Sequence, residues 1–390
     1  MYWINATESD FSKVNWISDV LGITAVSGVL SPLLDAGGMI GEMRRLQVNC
    51  IDSCTNYVLK FVAAKSIGRS KSLGLAREAF FYLQFAKRVA EIVPQVKLGY
   101  GNMDTGEKVI LMADLSAYIQ SGLYFGESNP NNWHKDLESI TGVTDQETRR
   151  VLTKEIAIQA FEIAAKYHAM FWNDNSLLEF SWLRGSNWLK GEGAEEWLSH
   201  QNIAKVAWNT AIAKITSGDS TLKVHPHLKA CMDSSLAKVS WEDYQRNRES
   251  EDFVFTLVHG DFHPGNMMWR RSDNSLIVLD WEAVGLGSGP QDCAQYVISH
   301  MEPAERRLIE SELVLKYYTS LIGLGVTPER YPLARCWTDY IMGGVGRWVW
   351  LLAFLSNMCS AEVAQAFHDQ LLAFILDHHI SPENIPMPRV

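Results

Sequence analysis

The sequence predicts an α+β protein with a small β-rich N-terminal lobe and a large, mainly helical C-terminal lobe. Three observations carry this. The 390 residues exceed what one hydrophobic core usually holds, so two lobes are expected. From Val26 to about Leu115 the apolar pattern is strand-like with a single helix, and beyond Thr144 it is mostly helical. The polar, Gly- and Asn-rich stretch from Ser116 to Gly142 separates the two as a connector, which gives lobes of 1–115 and 116–390.

In chain order, Val26 to Leu34 reads as a first strand, Glu42 to Cys50 as a second, Asn56 to Val62 as a third and Val109 to Met112 as a later one. Leu73 to Val93 reads as the helix of this lobe, because Leu75, Ala79, Leu83 and Ala86 fall near helical spacing and Pro94 limits it. Thr144-Asp145-Gln146-Glu147 has the form of a capping box, opening a helix that runs to about Trp172. No internal repeat or low-complexity tract interrupts the chain.

An apolar fraction of 47% with 21% charged residues is that of an ordinary globular protein. The net charge of −10 argues against nucleic acid or an anionic membrane as partner. None of the six cysteines forms a C-x-x-C pair, so neither a zinc ribbon nor a thioredoxin-type site is indicated. Glu8 and Asp10 stand where a basic-then-apolar leader would begin, and the most apolar window, Ile341 to Leu355, is short and broken by Arg347. A cytoplasmic location is expected.

The most informative motif is His259-Gly260-Asp261-Phe262-His263-Pro264-Gly265-Asn266, with Asp280-Trp281-Glu282 following fourteen residues after Asn266. Between them, Met267 to Arg271 and Leu276 to Leu279 read as two strands joined by a polar turn at Ser272-Asp273-Asn274. The arrangement brings one carboxylate toward an amide and a second carboxylate. Phosphoryl transfer needs such a set: a base for the attacking hydroxyl, and oxygen ligands for Mg²⁺ against nucleotide phosphates. The five-residue step from Asp261 to Asn266 equals that between base and metal-binding amide in the kinase catalytic loop. On this reading Asp261 is the base and Asn266 and Asp280 the metal ligands. Glu282 is left with two readings, a further metal or supporting ligand, or a turn cap.

These motifs resemble the aminoglycoside phosphotransferase and choline kinase superfamily of small-molecule kinases. Val258-His259-Gly260-Asp261 and Ala165-Lys166-Tyr167-His168-Ala169-Met170-Phe171-Trp172 are similar in wording to its ecdysteroid-kinase-like branch. The resemblance implies a protein-kinase-like bilobal fold, ATP and Mg²⁺ as cofactors, and a small hydroxylated molecule as phosphate acceptor. It also implies roles in the N-terminal lobe. Gly37, Gly38 and Gly41 would approach the phosphates, although Gly-Gly-x-x-Gly by itself reads equally well as a hairpin turn. Lys60, on the apolar run Tyr57 to Val62, would hold the α- and β-phosphates and be held by Glu78. Ala113 and Leu115 fall where main-chain groups would meet the base. Asp292 would cap the next helix and brace the catalytic loop.

Two other readings stand beside this one. A catalytically idle kinase-like module would bind nucleotide or a partner, yet such modules usually lose the base, metal ligands or lysine, all of which are present. A protein kinase is disfavoured by the missing Ala-Pro-Glu after Asp280 and by the helical stretch at Phe180 to Glu251. Fourteen tryptophans allow an aromatic substrate wall, with packing of the helical core as the plainer account.

Overall fold

The structure is a computed structural model that describes residues 8–33, 41–250 and 252–389. The chain divides into two compact units. One comprises residues up to Tyr118 together with Arg270–Val284, the other Ile119–Trp269 and Gly285 onward.

The first unit opens with helix α1 (Val14–Leu21), whose Ile17 drops into the core beneath the sheet. Strands β1 (Ser27–Pro32), β2 (Glu42–Asn49) and β3 (Cys54–Phe61) follow, then helices α2 (Ile67–Leu73) and α3 (Arg77–Phe85), and strands β4 (Val96–Gly101) and β5 (Lys108–Ala113). The five strands form one sheet in the order β1-β2-β3-β5-β4, all neighbours antiparallel. Leu46, Val48, Leu59, Phe61, Val109 and Leu111 bury one face against Phe11 and Ile17. The four strands read from the sequence are therefore present; β4 is an additional one. Of the helix expected over 73–93 only α3, Arg77–Phe85, is helical; α2 precedes it and ends at Leu73. Gly74, at φ 69°, ends α2 in the left-handed region, and α3 closes at Phe85, after which the chain proceeds in turns. Gly101 lets α3 lie close on β4, since a Cβ there would stand 2.7 Å from the Ala76 carbonyl oxygen.

The second unit begins with β6 (Ile119–Gln120). Helices α4 (Leu137–Thr141), α5 (Gln146–Met170), α6 (Ser186–Leu189), α7 (Ala194–Ser217), α8 (Pro226–Ala237) and α9 (Trp241–Arg248) follow. Asp145, not Thr144, caps α5: Asp145 has extended backbone and accepts the Thr148 N–H at 2.8 Å, so the helix starts one residue later than a Thr144 cap requires. Strand β7 (Thr256–Val258) leads into the His259–Asn266 segment and β8 (Met267–Arg270) leaves it, paired antiparallel with β6. The chain then returns to the first unit for β9 (Ser275–Val278), and re-enters the second at β10 (Gly285–Gly287), which pairs with β7.

Four helices complete the second unit, α10 (Pro290–His300), α11 (Pro303–Gly323), α12 (Leu333–Met358) and α13 (Ala361–Asp377). Every residue of α10 is buried, and α12 crosses it at Gly343 and Gly344, which leave room for Gln291 and Ala294. Trp188, Trp197, Trp208 and Trp348 are buried within this unit, as the core-packing account requires. The result is the α+β division read from the sequence, one β-rich unit and one mainly helical unit. Among the described residues no helix is long and apolar enough to cross a membrane.

Candidate active site

Two constellations carry chemistry, one in each unit. In the first, Lys60 sits in register opposite Met43 on β2 and Ile110 on β5. A lysine in such a place needs charged partners, and its ammonium finds three. Nζ lies 2.8 Å from Glu78 Oε2, 2.8 Å from Asp280 Oδ1 and 3.0 Å from Glu282 Oε1. Burial alone would lower the Lys60 pKa; Asp280, Glu78 and Glu282 reverse this and hold it well above the ordinary value.

The elements that deliver these groups are held by packing. Glu78 stands in the first turn of α3, 1% exposed. On the other side, Trp281 stacks flat on Phe81 of the same helix, with centroids 3.9 Å apart and planes 8° from parallel. The Val278 N–H donates to the Ile92 carbonyl at 2.7 Å, fixing β9 to the same region. Asp280 follows with φ 63° and ψ 56°, a left-handed conformation that aspartate tolerates better than most residues.

Sequence reasoning missed the fifth member. Lys108, the first residue of β5, is 1% exposed, lies 2.8 Å from the same Glu78 oxygen and also pairs with Glu282 Oε1. Its signal was a lysine heading an otherwise apolar strand. Glu282 is an ion-pair partner of both lysines.

In the second unit the His259-Gly260-Asp261 backbone is held by side chains from two helices, α10 and α12. The Asp292 carboxylate accepts the His259 N–H at 2.7 Å and the Gly260 N–H at 3.1 Å, and receives the Tyr167 hydroxyl at 2.7 Å. Gly260 has φ 77°, which opens the loop for this double contact. From the other side Arg347 Nη2 donates to the Gly260 carbonyl at 2.8 Å. Asp292 thus braces the loop as expected; it does not cap α10, because it already lies inside the first helical turn.

The Asp261 side chain is itself oriented. Gln295 Nε2 donates to Oδ1 at 2.8 Å and Asn266 Nδ2 to Oδ2 at 3.1 Å, while Asn266 Nδ2 also reaches the Asp261 carbonyl at 3.0 Å. With its NH₂ so engaged, the Asn266 amide oxygen is the atom left for a cation. Packing around Asp261 raises its pKa, but His263, Arg347 and His259 outweigh it and hold the carboxyl below the usual range, so it is ionised at neutral pH. Its side chain keeps 39% exposure, which leaves an edge for a substrate. His263 stacks on buried His300, with ring centroids 5.2 Å apart. Gln295 and Arg347 were not assigned to the loop from sequence; they sit on α10 and α12, whose facing is set only by tertiary packing.

The remaining expected residues are placed as follows. Gly37 and Gly38 lie outside the described residues. Gly41 borders β2, where a Cβ would stand 3.6 Å from Lys60 Cε. Ala113 ends β5 and Leu115 follows it, both half-buried.

The donor set fits a hard divalent cation. Glu78, Asp280 and Glu282 each offer a carboxylate oxygen, all within 4.8 Å of one another. Asp280 is the most exposed of the three side chains at 31%, whereas Glu78 is buried against two lysines.

Residues 133–313, a little under half of the chain, match the model of the phosphotransferase enzyme family, in agreement with the resemblance carried by the motifs. No curated protein matches the sequence. Among solved structures, the chain is similar to a Plasmodium vivax ethanolamine kinase, at 12% identity and TM-score 0.44, over 89% of this chain and 82% of that one. It is also similar to a choline/ethanolamine kinase family protein from Mesorhizobium loti, at 13% identity and TM-score 0.36, over 89% and 88%. A third is a spectinomycin phosphotransferase in complex with ADP and spectinomycin, at 11% identity and TM-score 0.38, over 94% and 98%. The motifs and the geometry of the two constellations, rather than these distant likenesses, carry the reading that follows.

Proposed function

We propose that this chain is a Mg²⁺-dependent phosphotransferase that moves the γ-phosphate of ATP to a hydroxyl group of a small molecule. The observation that carries the proposal is Asp261. It is an ionised, partly open carboxylate oriented by Gln295 and Asn266, on a loop pinned by Asp292 and Arg347. A carboxylate so held can orient the acceptor hydroxyl and take its proton as the bond to phosphorus forms. Its low basicity suits a loose transition state, in which the hydroxyl proton leaves late.

The first unit is proposed to hold the nucleotide. Lys60 would trade part of its carboxylate contacts for α- and β-phosphate oxygens, with Glu78 keeping the ammonium in place. Gly37, Gly38 and Gly41 would supply unobstructed N–H groups, and Ala113 and Leu115 main-chain contacts to the base. Asn266 and Asp280 would hold the ion. When bound, Mg²⁺ neutralises charge on the phosphates and orients them for in-line attack. The acceptor is proposed to be a small hydroxylated compound, with neither nucleic acid nor membrane as partner, and the location cytoplasmic.

The test is ADP release by the purified chain with Mg·ATP and a panel of alcohols, steroids, aminoglycosides and choline. Acceptor-dependent release, with a matching mass gain of one phosphate, is expected for some member. Nucleotide binding without turnover across a broad metabolite library would instead identify an idle module.

A further inference from the structure

Lys108 belongs to no motif and has no part in the mechanism above, yet its side chain is fully buried among the charged groups of the first unit. It enters the sheet opposite Gly101 of β4. From there its ammonium reaches Glu78 Oε2 at 2.8 Å and Glu282 Oε1. The same two oxygens contact Lys60 at 2.8 and 3.0 Å, so the four side chains close a ring of alternating charge. Asp280 joins this ring through Lys60 alone. Three carboxylates against two ammoniums leave one negative charge in excess, and Asp280 is the most exposed carboxylate of the group.

We propose that Lys108 is a positioning residue and a resident cation. It balances the charge of Glu78 and Glu282 through one oxygen of each, so that Asp280, the most exposed of the three carboxylates, is the one open to a divalent ion, and that ion is retained only when nucleotide phosphates help to bind it. This rests on the reading of Asp280 as a metal ligand. Without Lys108 the cluster would carry two excess negative charges, with all three carboxylates left to Lys60 alone, and would hold a divalent cation by itself. One unit charge at about 4 Å, at an effective dielectric near 20, corresponds to an affinity change of roughly a thousandfold or more.

The experiment is a titration of the nucleotide-free full chain with Mn²⁺ alone, following free Mn²⁺ by electron paramagnetic resonance. Wild type, Lys108→Arg, Lys108→Met and Lys108→Met/Glu282→Gln are compared. Wild type and Lys108→Arg should bind weakly and alike. Lys108→Met should bind at least about a thousandfold more tightly, and the double variant, which restores the charge balance, should bind weakly again. Equal binding by wild type and Lys108→Met overturns the proposal, as does tight binding by the double variant. If Lys108→Met fails to fold while the double variant folds, charge balance is supported. If neither folds, Lys108 is a packing element and the proposal falls. Since no nucleotide or acceptor is present, these results stand apart from the ADP-release assay, whose failure would sink the phosphotransferase reading and leave this titration interpretable.

Discussion

The Asp292 carboxylate receives the backbone N–H of His259 at 2.7 Å, so a residue at the start of α10 fixes the loop that carries Asp261. Both side chains are fully buried. A charge-assisted bond in that setting is strong, and removing its acceptor leaves a buried donor unmatched. Asp292→Asn can turn only one oxygen toward the two N–H groups, and its NH₂ opposes the other. It should lower stability by about 2–4 kcal/mol, read as a lower urea midpoint with unchanged slope. Turnover should fall with it, because the loop loses its anchor. A midpoint equal to that of wild type would show that Asp292 does not hold the loop.

Asp261→Asn keeps the shape of the carboxylate and removes its capacity to take a proton. Turnover should drop by about 10²–10⁴-fold, while Mg·ATP affinity stays near that of wild type. Near-normal turnover in the purified variant would exclude Asp261 as the base.

Lys60→Met leaves Glu78 and Glu282 to Lys108 alone and removes the ammonium beside Asp280, and breaking a buried ion-pair cluster by removing one partner costs about 3–5 kcal/mol. A lowered thermal midpoint and loss of turnover are expected. Glu78→Gln should do the same more mildly, because its amide can still accept from both ammoniums. The two defects should be strongly non-additive in a double-mutant cycle, since both act through the 2.8 Å contact. Additive defects would separate Glu78 from the work of Lys60.

His300 gives the stability a pH dependence. Burial and the neighbouring charge of His263 hold its pKa well below the ordinary 6.5, against the opposing pull of Asp261. Below pH 6.5 the unfolded chain binds a proton at this ring and the folded chain does not. Its contribution is therefore complete above that pH and is lost as pH falls toward the folded value. Wild type should lose about 1 kcal/mol on this account over the first pH unit below the ordinary value. His300→Asn, which retains an amide for Ser299, should show a smaller difference between thermal midpoints measured at about pH 7.5 and about pH 5.5. An equal or larger difference would place the acid sensitivity elsewhere.

The sequence by itself determined the two-part α+β plan and the local shape of the His259–Asn266 segment. Strands at β1, β2, β3 and β5 were legible because their alternation and bounding turns are short-range, and so was the turn from Asp261 to Asn266, whose contacts span five residues. What failed locally failed for local reasons too: the 73–93 periodicity hid the left-handed break at Gly74, and Asp145 rather than Thr144 had the extended backbone of a cap. Only the tertiary structure decided which distant charges meet. Lys108 is 174 residues from Glu282, and Arg347 is 87 from Gly260. Neither pairing leaves a spacing to read, because each arises where separate elements turn their polar side chains into a common buried space. There an ammonium or guanidinium is tolerated only if the fold brings it an acceptor.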